Sequence, residues 1–242
     1  MMPTLLIHAV LLFVVPPLLL GVINKTKALA AGRTGAPLLQ PYIGLAKLVR
    51  KGAVYSHTTT WVFRLGPVVS LATALAAGML VPLQGESLPW SFPGDVLLFA
   101  YLLSLGRFFT MAAALDTGSS FEGMGASREA AFAALAEPAL FLVLATAVVQ
   151  ARGLSFAAAW SVVPGPAPAA TLLAAAALFA VLLAENSRLP VDDPNTHLEL
   201  TMIHEVMVLD HGGPDLAFIL YGGAVKLFLF AAILVHYLVP IP

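Results

Sequence analysis

The chain has 242 residues, of which 60% are hydrophobic and only 10% are charged. Soluble domains carry about 25% charged residues. This balance, with a mean hydropathy of +0.91, indicates an integral membrane protein. The sequence contains no cysteine, which excludes disulfides and cysteine-held metal or iron–sulfur centres. Its one basic segment is short and flanks apolar runs, so we expect no binding to nucleic acid.

Six apolar segments have lengths close to the roughly 20 residues that a membrane-spanning helix needs. They lack the alternation of apolar and polar residues that a membrane β-barrel would show. The sequence therefore predicts an all-α fold: a polytopic transmembrane bundle of about six spans with short amphipathic cytoplasmic helices, in a single integral membrane domain over residues 1–242. The predicted spans cover residues 4–23, 61–83, 96–115, 129–149, 168–184 and 216–239.

The basic residues set the predicted orientation. Residues 24–60, between the first two spans, carry six lysine and arginine residues, whereas residues 82–95 carry none. Because loops rich in lysine and arginine stay on the cytoplasmic side, we expect the first loop to lie inside and both chain ends outside. Within that loop, residues 37–51 have the pattern of an amphipathic helix with Leu45 and Leu48 towards the membrane.

The most acidic part of the chain is residues 185–215, which hold seven of the 13 acidic residues between two apolar runs. Clustered ionisable groups at a membrane boundary indicate an ion or proton path, or a docking surface. Asp193 followed by Pro194 is typical of a helix N-cap and first helical position. The pattern predicts a helix from there to about residue 210.

Three histidines recur every seven residues in this segment, at His197, His204 and His211. On a continuous helix they would share one side. Neighbours two turns apart are separated by about 10 Å, which is too far for one metal ion to bridge. We therefore expect no metal site, and a polar helix face that meets a partner.

Glu137 is the clearest intramembrane acid, eight residues into the fourth predicted span and followed by Pro138. An acid near the middle of a membrane costs about 2.5–3.5 kcal/mol on the insertion scale. Such residues are usually functional, and burial would allow this carboxyl to take up and release protons. The alternative is a protonated, hydrogen-bonded Glu with a structural role only.

Further charged residues lie at or near the predicted spans. Glu185 ends the fifth span, and Arg188 three residues later could pair with it on one helix face. Arg107, deep in the third span, needs an anionic partner, which Asp116 or an acid on a neighbouring helix could supply. Three acids follow Glu185 in the next 14 residues: Asp192, Asp193 and Glu199. One of the two aspartates is expected to cap a helix.

These motifs together resemble a known family. It is the membrane-subunit family shared by complex I (as subunit 1, or H) and by membrane-bound hydrogenases of the formate hydrogenlyase type (as subunit 4, or hydrogenase-4 component C-like). The similar motifs are RTGAPLLQPY at 33–42, WVFRL at 61–65, RFF at 107–109, LDTGS at 115–119, GASRE at 125–129, EP at 137–138, ENSRLPVD at 185–192 and EL at 199–200.

The resemblance implies a membrane subunit of the prokaryotic cytoplasmic membrane. In this family the subunit anchors a redox arm and links it to ion-pumping subunits. The implied partners are hydrogenase-like large and small subunits, an iron–sulfur subunit and antiporter-like membrane subunits, besides membrane lipid. Nickel–iron and iron–sulfur centres would belong to the partners. The chain itself would be a non-catalytic subunit with no redox centre.

The resemblance also assigns expected roles to residues of this chain. The relay of protons or charge would use Glu137, Glu185, Asp192 and Glu199, with Arg107, Asp116, Arg128 and Arg188 as charge partners. Docking of the redox arm would use Arg33, Gln40, Tyr42 and Lys47 of the first loop. The polar helix face, a stretch that differs from better-known hydrogenase members, adds His197, His204 and Glu205 as expected docking residues.

The chain departs from the family pattern in two respects. Gly44 stands where family members usually have an acid, so an ion pair expected there is missing. The chain also has fewer spans than the family, so we expect either a shortened form or C-terminal helices supplied otherwise. This and the hydrogenase-like motifs disfavour a bound quinone, which stays open as an alternative.

Two other functions compete with the relay. The chain could be a purely structural anchor whose acids only dock partners. It could also be an independent ion carrier, although no internal repeat of the kind found in transporters is evident.

Overall fold

The computed structural model of the protein describes residues 2–85, 87–161, 168–192 and 203–238, and within these ranges it contains helices and no strands. Ten helices are present in this part of the chain, and we number them in chain order. They are α1 (Met2–Phe13), α2 (Val15–Ala30), α3 (Gln40–Val49), α4 (Trp61–Leu80), α5 (Asp95–Asp116), α6 (Ser120–Ala151), α7 (Phe156–Trp160), α8 (Pro168–Glu185), α9 (His204–Met207) and α10 (Gly213–Leu238).

Four helices are long and apolar enough to cross a membrane: α4, α5, α6 and α10. The predicted first span is instead a pair, α1 and α2, bent by 47°, and counting it as one span gives five. Pro16 and Pro17 explain the break, because proline lacks the N–H that would continue the helical ladder. Helix α8 belongs to the shorter apolar helices. The all-α prediction is confirmed. Among the described residues four to five spans meet the criteria of length and hydropathy, so the predicted count of about six is not confirmed.

Helix α6 starts at Ser120, nine residues before the predicted boundary at residue 129. The segment predicted as a loop contains good helix formers and an acid, Glu122, in the first turn, where the helix dipole favours negative charge. The longer helix places Glu122 and Glu129 seven residues apart on one face of α6.

Helices α4 and α5 pack together closely through small residues. A Cβ on Gly66 would lie 2.7 Å from Ala113 Cβ, and one on Gly106 would lie 2.5 Å from Thr73 Oγ1. Such approaches are typical of membrane helices, where small residues let two backbones come together. Asp116, the last residue of α5, accepts hydrogen bonds from the backbone N–H groups of Thr60 (2.6 Å) and Phe63 (3.2 Å). The end of α5 therefore caps the start of α4.

One end of the bundle includes residues 31–60, and we call it the basic end. Helices α4, α6 and α10 begin at this end, and helices α5 and α8 end there. Helix α3 lies at this end and packs against α10 and α2. Leu45 and Leu48 are half-buried, whereas Ile43 and Val49 are exposed. The orientation of Leu45 and Leu48 towards the membrane stays a prediction.

The predicted helix over 193–210 is largely outside the described residues, as are His197 and Glu199. The part that is described contains only the short helix α9, which ends at Met207. His211 does not share a polar face with His204. It is buried and stacks flat on Phe63, with ring centroids 3.9 Å apart. His211 therefore packs against the ring of Phe63 near the start of α4 and does not lie on the exposed helix face that was predicted.

Candidate charge-relay site

Arg107 is the centre of a buried ionic cluster. It lies on α5 nine residues before Asp116, about 13 Å along the helix axis from that end. Its Nη1 is 2.7 Å from Glu137 Oε1, and its Nε is 3.2 Å from Glu129 Oε1. Its Nη2 donates to Glu185. The guanidinium is an effective hub because it offers five donors in one plane.

Two neighbouring helices supply the other ends of these contacts. Glu129 and Glu137 both come from α6, and eight residues separate them, so both can face α5. Glu185 is the last residue of α8 and is also 3.4 Å from Lys226 Nζ on α10. The cluster therefore ties four helices together within one ionic network.

A branch leads from Glu129 towards α9 through His204. His204 Nε2 is 3.4 Å from Glu129 Oε2, and His204 Nδ1 is 3.3 Å from Asp192 Oδ2. Asp192 also accepts from the backbone N–H groups of Ile203 (3.2 Å) and His204 (3.1 Å). Burial raises the pKa of Asp192, but these hydrogen bonds and the charge of His204 outweigh it, so its pKa is below the usual value.

We define the Arg107 cluster by six charged groups and one histidine: Arg107, Lys226, Glu129, Glu137, Glu185, Asp192 and His204. With every acid ionised and the histidine neutral, four negative charges face two positive ones. The cluster is therefore two positive charges short of neutrality.

The cluster has two partly exposed ends. The side chain of His204 is 24% exposed and that of Glu137 is 35% exposed, whereas Arg107, Glu129 and Glu185 are buried. Beside Glu137, Pro138 and Phe141 line an apolar groove along α6. Glu137 is the more exposed of the two ends of the cluster.

A cavity of about 590 Å³ adjoins the cluster. Its polar wall includes Arg107, Glu129, Glu185 and Lys226, and its apolar wall includes Leu20 and Ile219. Most of the cavity lining is apolar, and the charged groups occupy one wall of it. The described residues contain no group of three or more His, Asp or Glu side chains placed to hold a metal ion.

The structure brings together the predicted residues Arg107, Glu137, Glu185 and Asp192, together with His204. Asp116, one of the two partners predicted for Arg107, makes no ion pair with it. Asp116 instead caps α4 by accepting hydrogen bonds from the backbone of Thr60 and Phe63. His204, predicted on an exposed docking face, lies instead between two carboxylates, because the described helix around it is only one turn long.

Arg188 does not pair with Glu185 as predicted. The chain leaves the helix after Glu185 and Ser187 has a positive φ of 52°, so the three-residue helical spacing that would align the two side chains is lost. Arg188 lines the cavity instead, and burial lowers its pKa. Glu185 pairs with Arg107 and Lys226.

Two cluster members were missed by sequence reasoning. Glu129 stands at the predicted start of a span, where a charged boundary residue is ordinary. The signal was its separation from Glu137 by eight residues, which puts both acids on similar faces of one helix. Lys226 is the only charged residue between Asp215 and the end of α10, and an isolated lysine within an apolar run was a direct signal of a buried partner.

The other predicted residues occupy the basic end. Arg33, Gln40 and Lys47 are exposed, and the hydroxyl of Tyr42 donates to the carbonyl of Val14. Two further residues are half-buried: Glu205, which lines the cavity, and Arg128, which precedes Glu129 on α6. Docking roles for these side chains stay predictions.

Comparison with known proteins gives several relatives. Hydrogenase-4 component C of Escherichia coli (strain K12) is 31% identical, and the match covers 97% of this chain and 74% of that protein. Formate hydrogenlyase subunit 4 of the same organism is 39% identical, over 57% of this chain, and the match spans less than half (45%) of that protein. The H subunit of NADH-quinone oxidoreductase from Bordetella avium is 30% identical over 49% of this chain and 33% of that protein.

Among solved structures, a chain of the membrane-bound sulfane sulfur reductase, an archaeal respiratory membrane complex, has the same fold. The TM-score is 0.70, and the alignment covers 96% of this chain and 76% of that one at 24% identity. Residues 2–239 match the family described as NADH dehydrogenase. The protein is an integral membrane protein related to oxidoreductase subunits, and by this match over nearly its whole length the chain belongs to the NADH dehydrogenase family.

Proposed function

We propose that this chain is the membrane-anchoring, ion-coupling subunit of a hydrogenase-like or complex I-like oxidoreductase. Its basic end would face the cytoplasm and dock the redox arm, in keeping with the excess of lysine and arginine in residues 24–60. The Arg107 cluster would relay protons or charge from that side towards antiporter-like subunits packed beside Glu137.

The observation that carries this proposal is the unbroken series of contacts across the cluster. From His204 to Glu129 the distance is 3.4 Å, from Glu129 to Arg107 it is 3.2 Å, and from Arg107 to Glu137 it is 2.7 Å. The two ends are partly exposed and the middle is buried. A path for charge needs closely spaced ionisable groups and access at both ends. Because the Arg107 guanidinium keeps its proton, it would pass charge on by changing its ion pairs.

Electrostatics supports a relay in which one proton changes the pairing of Arg107. At an effective dielectric constant of about 20, two charges 4 Å apart interact by about 4 kcal/mol. A proton arriving at Glu129 or Glu185 would remove one such attraction, so the guanidinium would bind its remaining carboxylates more tightly. The protonation of one acid would thereby change the ion pair between Arg107 and Glu137. Charge would be transmitted by the rearrangement of ion pairs.

The names of the relatives support the expected partners. They are a formate hydrogenlyase subunit, a hydrogenase-4 component and an NADH-quinone oxidoreductase subunit. We propose hydrogenase-like large and small subunits and an iron–sulfur subunit on the basic end, and antiporter-like subunits in the membrane. The nickel–iron and iron–sulfur centres would belong to those partners, in a prokaryotic cytoplasmic membrane.

The relay is tested by Glu137→Gln in the complex reconstituted into vesicles. Gln keeps the size and the hydrogen-bonding oxygen of Glu, so the complex should assemble, but it cannot exchange a proton. The number of ions moved per electron should fall to near zero. Asp95→Asn is the control, because Asp95 of α5 is also a buried acid but bonds only Ser91 and the backbone of Phe156, outside the Arg107 cluster. Normal ion transport in Glu137→Gln would end the relay proposal.

The structural-anchor alternative makes the opposite prediction for a double variant. If the acids only hold helices and partners together, Glu137→Gln combined with Glu185→Gln will change assembly but leave the ions moved per electron unchanged. An independent carrier would instead move ions when the purified chain alone is placed in vesicles. The relay predicts no transport in that preparation, because the chain lacks its redox driving force.

A further inference from the structure

An apolar groove lies on the outer surface of the bundle, towards the end opposite the basic end. It has a volume of about 520 Å³ and lies between α5 and α6, with only apolar side chains in its lining. Val96 and Leu144 are buried and form its floor, whereas Leu97, Leu142 and Leu154 are exposed and form its rims. The groove is therefore a surface cleft between two membrane-spanning helices, separate from the cavity of the candidate relay site.

The dimensions of the groove suit a hydrocarbon chain. Pro138 and Val148, which line its two ends on α6, are ten residues apart, or about 15 Å along the helix axis. One leaflet supplies half of the hydrocarbon core of about 30 Å, so one acyl chain has this reach. A helix with its side chains is about 10–12 Å wide and would rest on the exposed rims, whereas a flexible chain can enter as far as the buried floor.

At the outer end of the groove, Arg152 stands in the chain between two lining residues, Val148 and Leu154. Its backbone ends α6 in the left-handed region, with a φ of 51°. Its N–H donates to the Val149 carbonyl at 3.3 Å, and that of Gly153 donates to the Val148 carbonyl at 3.3 Å. Arg152 is exposed and makes no ion pair with the described residues. An exposed guanidinium is thus attached beside the mouth of the groove.

Arg152 is also the only lysine or arginine that the sequence places towards this end of the bundle. Residues 1–24, 65–106, 129–187 and 227–242 contain no other. In the predicted orientation this end lies outside, where lysine and arginine are disfavoured. A single arginine placed against this rule indicates an anionic partner at the membrane surface.

Two tryptophans mark this end as a membrane interface. Trp90 Nε1 donates to the Met79 carbonyl at 2.7 Å, and Trp160 stacks on His236 with ring centroids 4.1 Å apart. Tryptophan is enriched where the hydrocarbon meets the lipid headgroups. Arg152 follows α6 at the same end, so its guanidinium lies within reach of lipid phosphates.

We propose that the groove binds one acyl chain of an anionic phospholipid and that Arg152 pairs with the phosphate of that lipid. A guanidinium can donate two parallel hydrogen bonds to a phosphate, which makes arginine a better partner for it than lysine. The site shares no residue with the Arg107 cluster, so it does not depend on the proposed relay. Two other readings compete: Arg152 only offsets the dipole at the C-terminal end of α6, or a helix of a partner subunit covers the groove.

Native mass spectrometry of the complex in mild detergent tests the site by counting bound phosphatidylglycerol, with phosphatidylcholine as the zwitterionic comparison. Arg152→Gln removes the charge, and Ala145→Phe fills the groove, since Ala145 is exposed in its lining. Each variant should lose one phosphatidylglycerol per chain, and Arg152→Lys should retain it in part. Arg33→Gln at the basic end and Ala177→Phe on α8 are matched controls, because both residues are exposed and lie outside the groove.

Three results would overturn the proposal. An unchanged phosphatidylglycerol count in Arg152→Gln, with a lower melting temperature, would assign the arginine to the end of α6 alone. Equal loss of both lipids in that variant would contradict the choice of an anionic headgroup. If Ala145→Phe lowers the yield of intact complex and leaves the lipid count unchanged, the groove holds a partner helix instead. Should Ala145→Phe fail to fold, the smaller Ala145→Leu should still lower the count.

Discussion

Helix α5 contains buried charges of two kinds. Asp95, at its first turn, is fully buried and accepts from Ser91 Oγ at 2.8 Å and from the backbone N–H of Phe156 at 2.7 Å. Asp116, at its last turn, similarly accepts from backbone N–H groups that start α4. Between them, Arg107 has no such neutral partners and is held by three carboxylates from other helices.

The two sets of partners distinguish acids that stabilise the fold, such as Asp95 and Asp116, from the acids around Arg107, which can exchange charge. Fixed neutral donors hold the carboxyl groups of Asp95 and Asp116 in one geometry, and among the described residues no cation competes for them. The three glutamates share one guanidinium, so a change on any of them alters its contacts with the others. Burial alone therefore does not identify a relay residue; competition for a shared cation does.

The largest expected effect comes from removing that shared cation. Arg107→Met would leave three carboxylates without their guanidinium, and breaking one side of a buried ion pair costs about 3–5 kcal/mol. We expect little assembled complex, measured by the yield of intact complex in mild detergent. Arg107→Lys keeps one charge and should recover assembly in part. Full assembly of Arg107→Met would mean that the cluster does not hold the helices.

A smaller effect is expected at the neutral-donor sites. Asp95→Asn keeps one acceptor oxygen but weakens the charge-assisted bonds to Ser91 and Phe156, at a cost of about 1–3 kcal/mol. The melting temperature should fall while the ions moved per electron stay unchanged. A loss of ion coupling at normal stability would contradict the claim that acids held by neutral donors take no part in the relay.

The smallest expected effect concerns His211, which belongs to neither kind of acid site. Its folded-state pKa is lowered by burial, so the folded protein keeps it neutral while the unfolded chain binds a proton below about pH 6.5. Stability from this residue is complete above that pH and is lost as the pH falls, by at most about 1.4 kcal/mol per unit. The variant His211→Phe keeps an aromatic ring stacked on Phe63 but cannot bind a proton. Its melting temperature should therefore depend less on pH in this range than that of the wild type. An unchanged pH dependence would contradict this prediction.

Long apolar runs made much of the fold predictable. Helices α4, α5 and α10 lie close to their predicted spans, since a run of about 20 apolar residues admits few alternatives in a membrane. The first predicted span corresponds to two helices with a bend of 47°, because Pro16 and Pro17 interrupt the helix. The start of α6 was missed because a polar sequence with good helix formers resembles a loop when only hydropathy is considered.

The site was harder to predict than the spans. Hydropathy identified Arg107 and Glu137 as costly intramembrane charges, but it gave no information on which helices face each other. The sequence therefore left Asp116 and an acid on a neighbouring helix as alternatives for Arg107, and it suggested Arg188 for Glu185 by spacing alone. The actual partners of Arg107 and Glu185 come from α6, α8 and α10, and only tertiary packing brings them together.

The central claim is that carboxyl groups of the Arg107 cluster change protonation during electron transfer. Infrared difference spectroscopy of the complex, recorded on reduction, measures this directly through the stretching band of protonated carboxyl groups. We predict a carboxyl signal that is weakened or shifted in Glu137→Gln and unchanged in Asp95→Asn. Identical spectra in the wild type and Glu137→Gln, or no carboxyl signal in the wild type, would contradict the account.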